Sequence, residues 1–250
     1  LTTNPTNLTG IILAGGRGTR LQPLTNNLNK HLIPIADLPM ILYPIHSLTT
    51  LGIRDLIIVT NSEYVPAFQS ALAHIPDQFN LNSFRIIPQP EPRGVADALM
   101  QAEPHINTPT CVMLGDQLLG STLHTAHQAF LGNPDQSLIL LKQVSDPARY
   151  GIATLNTNHQ LVDITEKPTQ PQSDLAIAGI YFYPPTIFPL CRTLKPSSRG
   201  ELEISDLNAT LLKQGKIHHT SLQGWWADVG TFDSLDYARQ MVARHGFNND

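Results

Sequence analysis

The run Gly10-Ile11-Ile12-Leu13-Ala14-Gly15-Gly16-Arg17-Gly18-Thr19-Arg20 constrains the fold more than any other stretch of the chain. Ile11 to Ala14 has the length and composition of a buried strand, and it empties at once into glycines at 15, 16 and 18. A strand that ends this way lets the backbone turn tightly and present bare N–H groups to an anion. Spacing excludes two common glycine loops. A Walker A loop ends in Gly-Lys-Ser/Thr, whereas Gly18 is followed by Thr19-Arg20; a dinucleotide fingerprint counted from Gly16 requires glycine where Leu21 stands. Two cations lie just beyond, Arg20 and then Lys30 in Asn29-Lys30-His31-Leu32-Ile33-Pro34, and they favour a phosphate cradle over an ordinary turn.

Further strand-like runs at Asp55–Thr60, Phe84–Ile87, Thr110–Leu114 and Ser137–Lys142 alternate with segments of helical period. That alternation predicts an α/β fold, a mostly parallel mixed sheet flanked by helices. Asp37 before Leu38-Pro39 reads as the N-cap of a helix over Met40–Leu51, closed by Gly52 and bent at Pro44. From about Tyr150 the texture changes. Gly151–Asn156, Gln160–Thr165 and Ala176–Tyr183 read as strands separated by turns, an antiparallel addition to the sheet. Helices over Glu201–Gln214 and Phe232–Ala243 bracket a strand around His218–Leu222, and with no repeat or low-complexity linker residues 1–250 read as a single domain.

A net charge of −4 with no basic run argues against nucleic acid and against a membrane surface as partners. Cys111 and Cys191 stand far apart, so neither a disulfide framework nor a cysteine metal site is indicated. The polar stretch Leu1 to Thr9 lacks the regions of a secretion signal, no run approaches membrane-spanning length, and the expected setting is cytoplasmic.

Open α/β sheets bind ligands at the carboxyl ends of their strands. Asp116, Glu166-Lys167 and Asp228 each follow a strand-like run. Aspartate there suits magnesium, a hard cation that takes one or two carboxylates plus substrate phosphates and water. His124 and His127, with no acidic third ligand at a matching spacing, read as a solvated helix surface. No Gly-x-Ser-x-Gly elbow or partnered thiol occurs, so covalent catalysis is not suggested.

Taken in order, these segments resemble the sugar-1-phosphate nucleotidyltransferases, and among them the glucose-1-phosphate thymidylyltransferases. The resemblance runs from about Thr9 to about Arg239. Besides the opening loop and Asn29-Lys30-His31-Leu32-Ile33-Pro34-Ile35, it rests on Gln89-Pro90-Glu91-Pro92-Arg93-Gly94, Leu114-Gly115-Asp116, Asp146-Pro147-Ala148-Arg149-Tyr150-Gly151, Glu166-Lys167-Pro168, Arg199-Gly200-Glu201-Leu202-Glu203 and Trp226-Ala227-Asp228-Val229-Gly230-Thr231. It implies a Rossmann-like domain whose nucleotide part covers about 9–145 and whose antiparallel sugar-phosphate part covers about 146–230. Leu13, Gly15, Gly16, Gly18, Thr19, Gln89 and Gly94 would bind the nucleotide, Gln89 and Gly94 at the base. Arg20, Lys30, Asp116 and Lys167 would carry catalysis, with Asp116 and Asp228 holding Mg2+. Gln117, Gly151, Glu166, Lys167 and Arg199 would hold the sugar phosphate. The implied reaction transfers a thymidylyl group from dTTP to glucose-1-phosphate and releases pyrophosphate. Use of UTP or another triphosphate, and a non-catalytic nucleotide-sugar-binding subunit, stay open as alternatives.

Three features depart from the family pattern. Gln117 stands where the family usually has Asn, and as the longer side chain it would alter how sugar hydroxyls are read. Asp97 stands where Gln is more usual, which puts a carboxylate near the nucleotide. The sequence ends at Asp250, ahead of a C-terminal helical part that in the family supports homo-oligomer contacts and a regulatory nucleotide site.

Overall fold

The computed structural model describes residues 7–246; most of the polar N-terminal stretch and the last residue, Asp250, lie outside the described residues. The elements in chain order are β1 (Thr9–Leu13), β2 (Pro34–Ile35), β3 (Leu38–Pro39), α1 (Leu42–Thr50), β4 (Asp55–Asn61), α2 (Val65–Ala71) and α3 (Ile75–Gln78). Next come β5 (Ser83–Gln89), α4 (Val95–Ala102), β6 (Thr110–Leu114), β7 (Gln117–Leu119), α5 (His124–Leu131) and β8 (Ser137–Gln143). The chain continues through β9 (Gly151–Leu155), β10 (Leu161–Glu166), β11 (Leu175–Tyr183), α6 (Ile187–Cys191), α7 (Ile204–Lys213), β12 (Ile217–Ser221), β13 (Trp226–Asp228) and α8 (Phe232–His245).

β1 is buried along its whole length and pairs in parallel with β4 on one side and β6 on the other. β5 extends the parallel half beyond β4. Each strand sends alternate side chains to opposite faces, as the period of two requires. Ile12, Ile58 and Met113 face one core with α1, α2 and α5, while Ile11, Leu13, Ile57 and Val112 face a second core with α4, α6 and α7. The α/β expectation therefore holds in both sheet and layers.

β11 is the hinge of the mixed half. Its C-terminal part pairs antiparallel with β6, its N-terminal part with β9, and β8 runs antiparallel along its other edge. β8 was expected among the parallel strands; it shares their direction, but the partner that joins it to them is the antiparallel β11. β12 then adds in parallel to β8, and β10 closes the opposite edge against β9. The register of β11 on β8 shifts between Ile177 and Tyr181, and Gly179 sits inside that irregularity with φ 68°.

Three local expectations are corrected. Asp37 does not cap a helix: Pro34–Ile35 and Leu38–Pro39 form a small hairpin, turned at Ala36 with φ 50°, and α1 starts at Leu42. Proline pairs with proline at the outer end of that hairpin, where neither donates a hydrogen bond. Pro44 does not bend α1, because it occupies the first turn, where a backbone N–H has no intrahelical acceptor to lose. His127 is likewise no surface residue; it is buried and its ring stacks on Phe182 at 6.2 Å and 7°.

A third, smaller core lies under β7 and β13, which pair antiparallel to each other outside the main sheet. Leu118 and Ala227 from these strands pack with Leu21, Tyr43 and the buried face of α8 (Leu235, Ala238, Val242). α8 begins at a capping box between Thr231 and Ser234. Among the described residues no helix is long and apolar enough to cross a membrane.

Gly179 offers a direct check of the β11 irregularity. A methyl group there would meet the Leu114 and Gln117 side chains at 3.0 and 3.1 Å, on a backbone that L-residues disfavour. Gly179→Ala is expected to lower the unfolding free energy by about 2 kcal/mol in urea denaturation, through left-handed strain plus crowding.

Candidate active site

The loop after β1 is fastened to its neighbours before it turns. Ala14 N–H donates to Val59 O at 2.7 Å, Gly115 N–H to Leu13 O at 2.9 Å, and Thr60 Oγ1 to Ala14 O at 3.0 Å. The glycines then leave room for Lys30. A methyl group on Gly16 would lie 3.1 Å from Lys30 Cε, and one on Gly18, with φ 64°, would lie 2.8 Å from Lys30 Cβ. The lysine stem thus packs flat against bare backbone, and its ammonium reaches the Asp116 carboxylate in a short, buried ion pair.

This loop forms one wall of a cavity of about 440 Å³. Of the nucleotide-site candidates, Leu13, Gly15, Gly16, Gln89 and Gly94 line it, with the catalytic candidates Lys30 and Asp116; Gly18 supports Lys30 from behind, while Thr19 and the catalytic candidate Arg20 start the short turn beyond. The Arg20 guanidinium lies on Gly230, where a methyl group would be 2.9 Å from Nη2. Gly94, with φ 109°, closes the far wall, because a methyl group there would strike the Leu202 backbone at 2.6 Å. Leu202 N–H donates to Arg93 O and Leu202 O accepts from Ala96 N–H, so the segment before α7 is tied to the Gly94 turn and brings Glu201 to the cavity.

Arg17, His31 and Glu201 also line the cavity and were not singled out from the sequence. His31 N–H donates to Asn29 Oδ1, which identifies that atom as the oxygen, and His31 Nδ1 lies 2.8 Å from it. Nδ1 therefore carries the proton and Nε2 a lone pair. Burial, and then Lys30 beside it, push the imidazole down to about 3, so it is neutral at ordinary pH. Its position directly after Lys30 was the one signal that could have found it.

Asp116, on the cavity wall, stands beside a second carboxylate, Asp228, brought from a distant part of the sequence. Asp116 follows β6, Asp228 ends β13, and the pairing of Asp228 with Gln117 on β7 sets them side by side. Gln117 Nε2 donates to Asp116 Oδ1 at 2.8 Å and to Asp228 Oδ1 at 3.0 Å, and its Oε1 accepts from Trp226 Nε1 at 2.7 Å. Both ends of the Gln117 amide have partners inside the protein, and its NH2 group spans the two aspartates. Burial raises the Asp116 carboxyl, but Lys30 and the hydrogen bonds outweigh it and hold it below the ordinary range. Asp228, by contrast, is pushed up to about 6 by burial and then by the Asp116 charge.

These two carboxylates fit a divalent cation. Joined through the Gln117 amide, they offer oxygen donors of the kind a hard cation takes, from two different elements at one place. Among the described residues no three His, Cys, Asp or Glu side chains converge as a cage, which matches an ion held by one or two carboxylates with substrate phosphates and water completing its shell.

Four of the sugar-phosphate candidates, Gly151, Glu166, Lys167 and Arg199, gather around one carboxylate. Glu166, at the end of β10, is paired with Gly151 across the β9–β10 ladder. Its carboxylate accepts from Ser205 Oγ at 2.6 Å and lies 3.2 Å from Lys167 Nζ and 3.5 Å from Arg199 Nη2. A methyl group on Gly151 would meet Ser205 Oγ at 2.6 Å, so the glycine keeps the helix end close. Arg199 is clamped by the buried Glu203, whose Oε1 is 2.9 Å and Oε2 3.0 Å from Nη2. Tyr181 joins the two halves. Burial and then Glu166, Asp116 and Asp228, in that order, raise its phenol, and its ring stacks on Tyr183 at 5.6 Å. Nothing in the sequence distinguished Tyr181 from a core aromatic.

Residues 9–245 match the family model for nucleotidyl transferases. The chain belongs to that family. It is 39% identical over 237 residues to glucose-1-phosphate thymidylyltransferase of Neisseria meningitidis, covering 93% of this chain and 82% of that protein. To the enzyme of the same name from Mycolicibacterium smegmatis it is 38% identical, with 95% and 84% covered. A Bacillus anthracis protein provisionally assigned as a glucose-1-phosphate thymidylyltransferase, crystallised with sucrose, superposes with a TM-score of 0.87 at 36% identity over 94% of both chains. A UDP-glucose pyrophosphorylase bound to UDP-glucose shares the fold at a TM-score of 0.85 and 24% identity, over 95% of this chain and 99% of its own.

The raised Asp228 carboxyl gives a pH test. Between its ordinary value of 3.8 and about 6 the metal-free folded state binds a proton that the unfolded state releases, so this group's contribution to stability falls as pH rises through that window. In metal-free protein Asp228→Asn is expected to raise the unfolding free energy by about 1–2 kcal/mol at pH 7 and by nothing at pH 4, measured by urea unfolding at both.

Proposed function

We propose that this nucleotidyl transferase moves a thymidylyl group from dTTP to glucose-1-phosphate, forming the nucleotide sugar and pyrophosphate. The observation that carries the reading is the junction at Asp116 and Asp228. Asp116 lines the glycine-walled cavity and is joined to Asp228 through Gln117, and the cluster of Glu166, Lys167 and Arg199 meets the same cavity at Glu201, 3.4 Å from Arg199 Nη2. The relatives named above, similar over nearly the whole chain, support this substrate pair.

In this reading the N–H groups of Gly15 to Thr19 take the triphosphate, with Arg20 and Lys30 as cations. Gln89 and Gly94 meet the base. Lys167 and Arg199 take the sugar phosphate, and Glu166 accepts from a sugar hydroxyl. The acceptor phosphate needs no dedicated base, because the second ionisation of a phosphate monoester lies near pH ~6 and leaves it largely dianionic at neutral pH. One of its oxygens attacks the α-phosphorus while the bond to the β-phosphate oxygen breaks and pyrophosphate leaves with that electron pair. The barrier is repulsion among anions, so the protein contributes positioning and fixed positive charge. Asp116 and Asp228 would hold Mg2+, which supplies charge neutralisation when bound. Residues about 9–145 serve the nucleotide and about 146–230 the sugar phosphate, within one domain. The cytoplasm is the setting we assign, in keeping with two buried, unpaired cysteines.

A magnesium-dependent pyrophosphate-release screen crossing dTTP, UTP, CTP, ATP and GTP with a panel of sugar-1-phosphates tests this. The largest kcat/KM is expected for dTTP with glucose-1-phosphate. Release from no pair at all would turn the reading into that of a binding subunit. Lys30→Met keeps the stem that packs on Gly16 and Gly18 while removing the charge. It is expected to lower kcat by about two to three orders of magnitude at saturating substrates, the scale of one preorganised electrostatic group. Unchanged turnover in that variant would remove Lys30 from the chemistry.

A further inference from the structure

Gln89 ends β5 with its side chain buried against the glycine loop. Its Nε2 donates to two groups, Gly94 O at 3.1 Å and Asp97 Oδ2 at 2.8 Å. Both are acceptors, a backbone carbonyl and a carboxylate, so only the NH2 end of the amide can face them. The other end is thereby fixed. Oε1 is turned toward the start of the glycine loop, where a methyl group on Gly15 would lie 2.5 Å from it, and Gln89 and Gly15 both line the cavity.

Asp97 is built to enforce that choice. It lies in the first turn of α4, almost wholly buried, where helix N–H groups favour a negative charge. Its Oδ1 is 3.0 Å from Arg93 Nη2, one helical turn back across the Gly94 bend. A carboxylate cannot donate, so it never offers Gln89 the alternative pairing that an amide in its place would.

We propose that Asp97 is a positioning residue that locks the Gln89 amide with its oxygen toward the nucleotide base, and so selects bases whose N3 carries a hydrogen. Thymine and uracil present N3–H as a donor between two carbonyls. Cytosine presents a lone pair at N3 and an amino group beside it, which would face the Gln89 oxygen with a repulsive acceptor. A site arranged for one hydrogen-bonding edge rejects the other because its own buried polar atom is left unpaired. The inference rests on the reading that the base lies at Gln89. It does not separate thymine from uracil, whose N3 edges are identical.

The test compares dUTP with dCTP, which differ only on that edge, by isothermal titration calorimetry of the full chain with each magnesium nucleotide. Wild type is expected to prefer dUTP. Asp97→Asn, isosteric but able to donate, lets the Gln89 amide turn over, and the dCTP-to-dUTP Kd ratio is expected to fall about ten-fold. Asp97→Ser, too short to reach Gln89, is expected to move the ratio the same way and guards against a folding defect in the first variant. A purely structural role would weaken both nucleotides together and leave the ratio intact, which would overturn the proposal. Gln89→Leu separates the two levels of the inference. If it collapses the ratio while both Asp97 variants preserve it, the locking role fails and the base site stands. If Gln89→Leu also preserves the ratio, the base does not lie at Gln89 and both fail.

Discussion

The site depends on holding two carboxylates together where neither would choose to be. Asp116 and Asp228 lie far apart in the sequence, and burial beside a like charge disfavours ionisation of both, as the raised Asp228 carboxyl records. What overcomes this is local and small. The three-residue strands β7 and β13 align Asp228 with Gln117, whose amide hydrogens go one to each carboxylate while Trp226 satisfies its oxygen. Lys30 neutralises Asp116 from the other side. The third core, built from Leu118, Ala227 and the buried face of α8, supplies the apolar packing that keeps this arrangement closed.

The large sheet has a different task, which is to aim chain ends at that pair. β1, β5 and β6 run parallel with β4, so the glycine loop, Gln89 and Asp116 all leave the sheet at one edge. β10 runs antiparallel to β9 and delivers Glu166 and Lys167 from a second direction, and α7 begins against them with Ser205. The antiparallel β11 lets the two halves meet, because it pairs with β6 and with β9 along one edge. Tyr181, on that strand, feels the charge of carboxylates from both halves, which with burial raises its phenol. A purely parallel sheet would place all strand ends on one edge and could not surround a ligand junction in this way.

How much of this was legible follows from the length scale of each signal. β1, β4, β6 and β8 are apolar runs of five residues or more, buried on both faces, and composition alone marks them. The glycine loop declared itself because its spacing defeats the common alternatives, and Asp116, Glu166 and Asp228 because strand ends are where such sheets act. β7 and β13, at three residues each, are too short to show a period, so the contact that unites the aspartates could not be read. Asp37-Leu38-Pro39 was misleading for a physical reason. Aspartate followed by proline suits a helix start and a tight turn equally, and the hairpin prevails because Ile35 and Tyr43 gain burial in the third core. His127 went the same way, with the Phe182 ring across the helix–sheet interface deciding its burial.

The two polar departures from the family pattern, Gln117 and Asp97, obey one rule. Each is buried, and each directs its polar atoms at a neighbouring side chain that lines the glycine-walled cavity rather than at open space. A buried amide or carboxylate whose hydrogen bonds are taken cannot also serve a mobile substrate without leaving a partner unsatisfied, which costs about 1–3 kcal/mol. Their influence must therefore pass through what they hold. Gln117 joins Asp116 to Asp228, and Asp97 holds the NH2 end of Gln89. Substitutions that look like changes of ligand contact in the sequence become, in the fold, changes of geometry one residue removed. In an active site whose chemistry is positioning and charge, that is where substrate preference can shift while the reacting groups stay the same.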